Sequence, residues 1–138
     1  MSIVKAHSHI HELIEVAHYE DHEQRSESAE FRKVKQEFHK NHAKCFIDNG
    51  KCEGNVEIHH SIIEYAASSE VDWEKVIKDY PEFVDVDNKA QMMPLCAKHH
   101  RGKGFGIHNL TYSIWILQKY MKPEALEQFE KDVNEALK

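Results

Sequence analysis

The sequence is short of everything that would tie it to a membrane or to a disulfide scaffold. Its longest apolar runs fall far below the roughly 20 residues that cross a bilayer. The opening MSIVKAHSHIHELIEV lacks the basic start and long apolar block of a signal peptide. The expectation is therefore a cytoplasmic protein with no membrane partner. Three cysteines, an odd number, make a poor disulfide framework and suit reduced thiols or metal ligation. Five glycines and three prolines are spread over 138 residues. No repeat, low-complexity tract or linker divides the chain, so one domain over residues 1–138 is expected.

Charge of one sign is missing locally. Residues 90–123 contain no acid, but carry Lys98, Arg101, Lys103, Lys119 and Lys122. Residues 31–44 set five basic groups against Glu37 alone. Residues 64–87, in contrast, hold eight acids and two lysines, a balance of −6 that equals the net charge of the whole chain. Outside that acidic segment the protein is neutral with two basic zones, so the total does not exclude a nucleic-acid partner. The segment itself is a candidate shield, DNA mimic or protein-binding arm.

The periodicity of apolar residues changes along the chain. A helical lead-in is expected over 8–42, with Ile10, Leu13, Ile14 and Ala17 on one face, then Ser28 as an N-cap before Phe31, Val34 and Phe38. CFIDNGKCEGNVEIHH has an Asn49-Gly50 turn signal and alternating Val56 and Ile58, which read as a β-hairpin. A short helix carries Trp73, Val76, Ile77 and Tyr80 and stops at Pro81. AQMMPL reads as a strand and CAKHHR as a helix that Gly102, Gly104 and Gly106 end quickly. C-terminal helices are expected over 111–137, the last opening at Pro123 with Leu126, Phe129, Val133 and Leu137 on one seam. That seam, with Ile114, Trp115 and Ile116, is a candidate surface for a protein partner or a homodimer. The fold class is α+β and mostly helical.

Histidine is in excess, with twelve residues. Two doublets, His59-His60 and His99-His100, stand out, the second just behind Cys96. Thiols and imidazoles at short spacing suit a tetrahedral ion that takes soft or borderline ligands. Cys45 and Cys52 flank the turn, and Cys96 and His99 lie one helical turn apart, making a Cys₃His set for structural zinc. Six residues separate Cys45 from Cys52, where zinc knuckles usually have two to four. Neighbours on a helix point about 100° apart, so His99 and His100 serve different centres. Either lies within reach of Cys96, and the sequence leaves their roles interchangeable. His59 and His60 share a cleft only where the strand ends or kinks. His7, His9, His11, His39 and His42 read as isolated surface or core residues. His18 and His22 share a helical face without a third ligand. FVDVDNK resembles the start of a calcium loop through Asp85, Asp87 and Asn88, but lacks the later glycine and glutamate.

CFIDNGKCEGNVEIHH … QMMPLCAKHHRGKGFGIH resembles the HNH endonucleases of the ββα-metal (His-Me finger) class, in a form met in bacteriophage genomes. SAEFRKVKQEFHKNHAKC is similar to the helix that leads into the first zinc cysteine of that family. The likeness spans roughly residues 26 to 108. It implies a ββα-metal core over 43–108 with a zinc knuckle, an acidic insertion at 64–87 and flanking helices. It also implies a metal-dependent endonuclease acting on DNA, in host cytoplasm if phage-encoded. His60 would be the general base, and His59, His100 and His108 would hold one divalent cation. The family's asparagine position is Gln91 here, with Asn88 three residues earlier. Lys98, Arg101 and Lys103 would contact phosphates.

The chemistry of these residue types agrees. Phosphodiester hydrolysis needs an activated water and charge neutralisation at the phosphate, and an imidazole with a pKa of about 6.5 is a fit base. Three imidazoles suit Zn or Ni, whereas many members of the family use Mg or Mn, so the catalytic ion is one of these four. The alternative is a catalytically weak, zinc-stabilised module on the same scaffold that binds DNA or a protein. A non-nuclease metal hydrolase using the three imidazoles is a third reading.

Overall fold

In a computed structural model, which describes residues 2–21, 28–83 and 86–138, helix α1 (Ala29–Lys40) starts where the sequence asks. Ser28 caps it, its Oγ accepting from the Phe31 amide at 3.0 Å. Phe31 and Val34 are buried, and Phe38 packs beside them. Among the described residues the lead-in is helical over this stretch alone. Residues 2–20 form neither helix nor strand, and Ile10 and Ile14 are exposed. The amphipathic pattern there has no packed surface to rest on, and short isolated helices are marginal in water. His22 lies outside the described residues, as does Asp85.

The sheet is two-stranded and antiparallel, β1 (Val56–His60) against β2 (Met92–Cys96). The register sets Val56 opposite Cys96 and His60 opposite Met92. The expected hairpin within 45–60 is therefore a correction. Asn49-Gly50 does turn, with Gly50 at φ +83° and the Asn49 side chain accepting from the Lys51 amide at 2.9 Å. The segment before it forms no strand, and the partner of β1 arrives some 30 residues later. Phe46 lies along the open edge of β2 and donates to the Pro94 carbonyl at 2.8 Å. Pro94 has no N–H to offer a further strand, which keeps this an edge.

Between the strands the acidic insertion folds as a 3₁₀ turn (Tyr65–Glu70) and α2 (Trp73–Asp79). Asp72 caps α2, accepting from the Glu74 amide at 3.1 Å, but the helix buries no residue. A second 3₁₀ turn (Lys89–Gln91) then delivers the chain into β2. Helix α3 (Ala97–Arg101) follows directly and packs on both strands.

Two buried clusters share β2. Met92 joins Phe31 and Val34, while Leu95 and Cys96 join Cys45, Ile47 and Trp115. The C-terminal part comprises α4 (Tyr112–Trp115), α5 (Leu117–Tyr120) and α6 (Pro123–Ala136). Trp115, expected as a partner surface, is fully buried and donates to the His99 carbonyl at 2.8 Å. The α6 seam is likewise used internally. Leu126 is buried, Phe129 meets Phe105 edge-on, and Val133 lies against Gly104. Among the described residues no helix is long and apolar enough to cross a membrane.

Gly104 has φ +82°, and a Cβ there would overlap Val133. Gly104→Ala is expected to cost about 1–3 kcal/mol through backbone strain and the displaced α6 contact. A urea unfolding curve checks this as a lower midpoint at unchanged slope.

Candidate metal centres

The turn at 45–52, the end of β2 and the start of α3 bring four ligand groups to one point. Cys45, Cys52, Cys96 and His99 offer atoms that all lie within 4.8 Å of one another. The Sγ atoms of Cys96, Cys52 and Cys45 stand 3.2, 3.6 and 3.7 Å from His99 Nδ1. Tetrahedral zinc, with bonds of about 2.3 Å to sulfur and 2.0–2.1 Å to nitrogen, gives sulfur–nitrogen edges of about 3.5 Å. The donor set fits that ion. Cys96 doubles as the N-cap of α3, its sulfur accepting from the His99 amide at 3.4 Å.

The electrostatics of the thiols lead to the same conclusion. Burial pushes the Cys45 thiol up, but His99 and the amides of Cys96, Asp48 and Ile47 outweigh it and bring it to about 6. Cys52 is exposed as a residue, yet its sulfur turns into the cluster. Desolvation there, with the neighbouring Cys45 and Cys96, pushes it up to about 12. Three thiolates cannot crowd together without a cation, and a divalent ion removes that conflict.

One residue on, His100 faces elsewhere. His59, His100 and His108 form a second group with ligand atoms within 4.8 Å, and the Nε2 atoms of His100 and His108 are 3.0 Å apart. The exchange of roles that spacing left open between His99 and His100 is resolved by α3, which aims them at different centres. His59 comes from β1, and His108 from the loop that follows α3, where the His108 amide donates to the His100 carbonyl at 3.3 Å. Burial foremost, then the charges of His100, His108 and His60, hold His59 down at about 3. It is a neutral imidazole at neutral pH, the form that ligates.

Comparisons with protein-family models, curated proteins and solved structures find no match to this chain.

Carboxylates surround the imidazoles, and sequence reasoning missed them. Glu57 Oε1 lies 2.8 Å from His100 Nδ1, and Arg101 grips the same carboxylate at 3.0–3.2 Å. Arg101, foremost, holds the Glu57 carboxyl below its usual range. Glu64 Oε1 is 3.8 Å from Nδ1 of both His59 and His108. Strand alternation was the available signal for Glu57, which lies two residues from His59 and therefore on its face.

Of the other expected site residues, His60, Gln91, Asn88 and Lys98 are engaged elsewhere. His60, expected beside His59 as the base, turns to the opposite face. The strand neither ends nor kinks before it. His60 pairs with Met92, and the ladder runs on through the Ser61 amide to the Gln91 carbonyl at 2.8 Å. Its ring is 3% exposed, stacks on Phe31 at 5.6 Å, and sets Nε2 3.0 Å from Asp87 Oδ1. Gln91 is buried and ties the insertion's ends together, donating to the Val86 carbonyl and accepting from the Ile63 amide. Asn88 caps the 3₁₀ turn, accepting from the Ala90 amide at 2.9 Å. Lys98, expected on phosphates, is 10% exposed. It pairs with Glu130 at 2.6 Å over the Phe105 ring. Arg101 is committed to Glu57, and Lys103 is exposed.

Two outcomes follow. Cys96→Ser should release one zinc per chain by elemental analysis, and a chelator should lower the unfolding temperature of wild type but not of this variant. In metal-free protein His59 stays neutral when folded and takes a proton when unfolded. Stability should therefore fall as pH drops from about 6.5 towards 3. His59→Gln should flatten that part of the curve, as read by denaturant titration at each pH.

Proposed function

We propose that the chain is a metal-dependent hydrolase of DNA phosphodiester bonds, of the HNH type that its motifs resemble. The observation that carries this reading is the convergence of His59, His100 and His108 one residue along α3 from a thiol-rich cluster. Cys45, Cys52, Cys96 and His99 would hold the structural ion, and the three imidazoles would hold the catalytic one. The catalytic ion, when bound, supplies positive charge for a scissile phosphate and lowers the pKa of water.

The chain's own groups do the rest. Neutral imidazoles add no charge of their own, so the ligands themselves do not diminish the cation's attraction for phosphate. Glu57, braced by Arg101, fixes the His100 ring. Exposed cations remain on α1 and after it, at Arg32, Lys33, Lys40 and Lys44, and at Lys103. In this reading they replace Lys98 and Arg101 as backbone contacts. His60 is given no step, because Asp87 occupies its Nε2 in the arrangement seen.

A specific observation favours a second reading. His60 is buried and Lys98 is paired, as suits a zinc-stabilised module that binds DNA or a protein without cutting.

A plasmid-nicking assay with Mg²⁺, Mn²⁺, Ni²⁺ and Zn²⁺ in turn decides between them. Wild type should nick only with added metal, and His100→Ala should lose at least about 100-fold in rate. His60→Ala should keep most of the activity. Two bound metals with no cutting under any ion would establish the binding module.

A further inference from the structure

Each imidazole of the second centre has its Nδ1 towards a carboxylate. For His100 and His108 the Nε2 atoms converge at 3.0 Å. The Nδ1 of His100 faces Glu57 at 2.8 Å, and the Nδ1 atoms of His59 and His108 both face Glu64 Oε1 at 3.8 Å. A single carboxylate oxygen thus stands at equal distance from two rings that come from different parts of the chain.

A carboxylate beside Nδ1 favours the tautomer with its proton there and leaves the Nε2 lone pair free. We infer that Glu64 is the positioning residue of the imidazole centre, fixing the tautomer and direction of His59 and His108 together for a borderline divalent cation. Its distance exceeds a hydrogen bond, so it acts as a charge facing two N–H dipoles. The carboxylate also offsets part of the cation's charge without taking a coordination position. Glu57 does this for one ring and is itself held by Arg101, whereas Glu64 serves two rings and has no such brace among the interactions seen. Glu64 also opens the acidic insertion, as the residue before the 3₁₀ turn Tyr65–Glu70. The insertion is therefore anchored at the cation centre by its first carboxylate.

The inference rests on the three imidazoles holding a cation, and the test separates the two. Full-length protein with zinc in the thiol centre is titrated with Co²⁺ against a chelator, following the visible absorption of the second ion. Glu64→Gln keeps the size and removes the charge. It should weaken Co²⁺ binding by about 10–100-fold. It should also alter the Co²⁺ spectrum and leave the unfolding temperature of the Co²⁺-free protein unchanged. A purely structural role would move that temperature and not the spectrum of the ion once bound. Should Glu64→Gln bind Co²⁺ within twofold of wild type with the same spectrum, while His100→Ala loses it, Glu64 has no positioning role and the centre stands. Should wild type take up no second ion, the centre and this inference are both overturned.

Discussion

The meeting of three sulfurs around His99 Nδ1 is the contact on which the architecture turns. It joins the loop at 45–52, the last residue of β2 and the first turn of α3, segments that the Phe46–Pro94 backbone bond and the Lys98 bond to the Lys51 carbonyl also tie together. Two of its members, Cys45 and Cys96, belong to the hydrophobic cluster around Leu95 and Trp115. The centre is thus part of the core, in a chain whose two buried clusters are small. Small domains often need such a staple, because their apolar burial alone barely exceeds the entropy of folding. The Trp115 indole N–H, bonded to the His99 carbonyl, carries the same point into the C-terminal helices.

Much of this could be read from residues alone, for definite reasons. Ser28, the Phe31–Val34–Phe38 stripe and Pro123 act through short-range geometry, and each appears where its local chemistry places it. Each half of the Cys₃His set, Cys45 with Cys52 and Cys96 with His99, was legible because its two ligands lie close in sequence. The misreadings came from distance. Asn49-Gly50 is a true turn, but nothing near it in sequence reveals that β1 pairs with a strand beyond the insertion. Ile10, Leu13 and Ile14 have helical spacing and no surface to cover. Helical pattern needs packing to become a helix.

His60 is the instructive case. Val56, Ile58 and His60 share one side of β1, and Ile58 packs with the Phe31 cluster. Period-two alternation therefore sets His60 with the core and leaves Glu57 and His59 for the cation face. Likeness to a family drew both histidines of the doublet to one cleft, and the continuing ladder sends them apart. Lys98 errs the same way. A lysine on a short helix reads as solvent-facing until the remote Glu130 and Phe105 are placed beside it. Two carboxylates of the insertion, Glu64 and Asp87, reach opposite faces of β1 and could not be located without the long-range pairing of the strands.

Helix α3 has only five residues, and two consecutive ones address separate centres. Such a helix spans roughly 7.5 Å, little more than one turn, and has no independent stability. Its orientation is set by the sulfur cluster together with the Ala97 and Lys98 amides, which donate to the Asn55 and Glu53 carbonyls, and the Trp115 indole on the His99 carbonyl. The two centres therefore share one support: what holds Cys96 and His99 in place also helps Glu57 to aim His100. Loosening the sulfur cluster would disturb the aim of His100, one residue further along the same short helix.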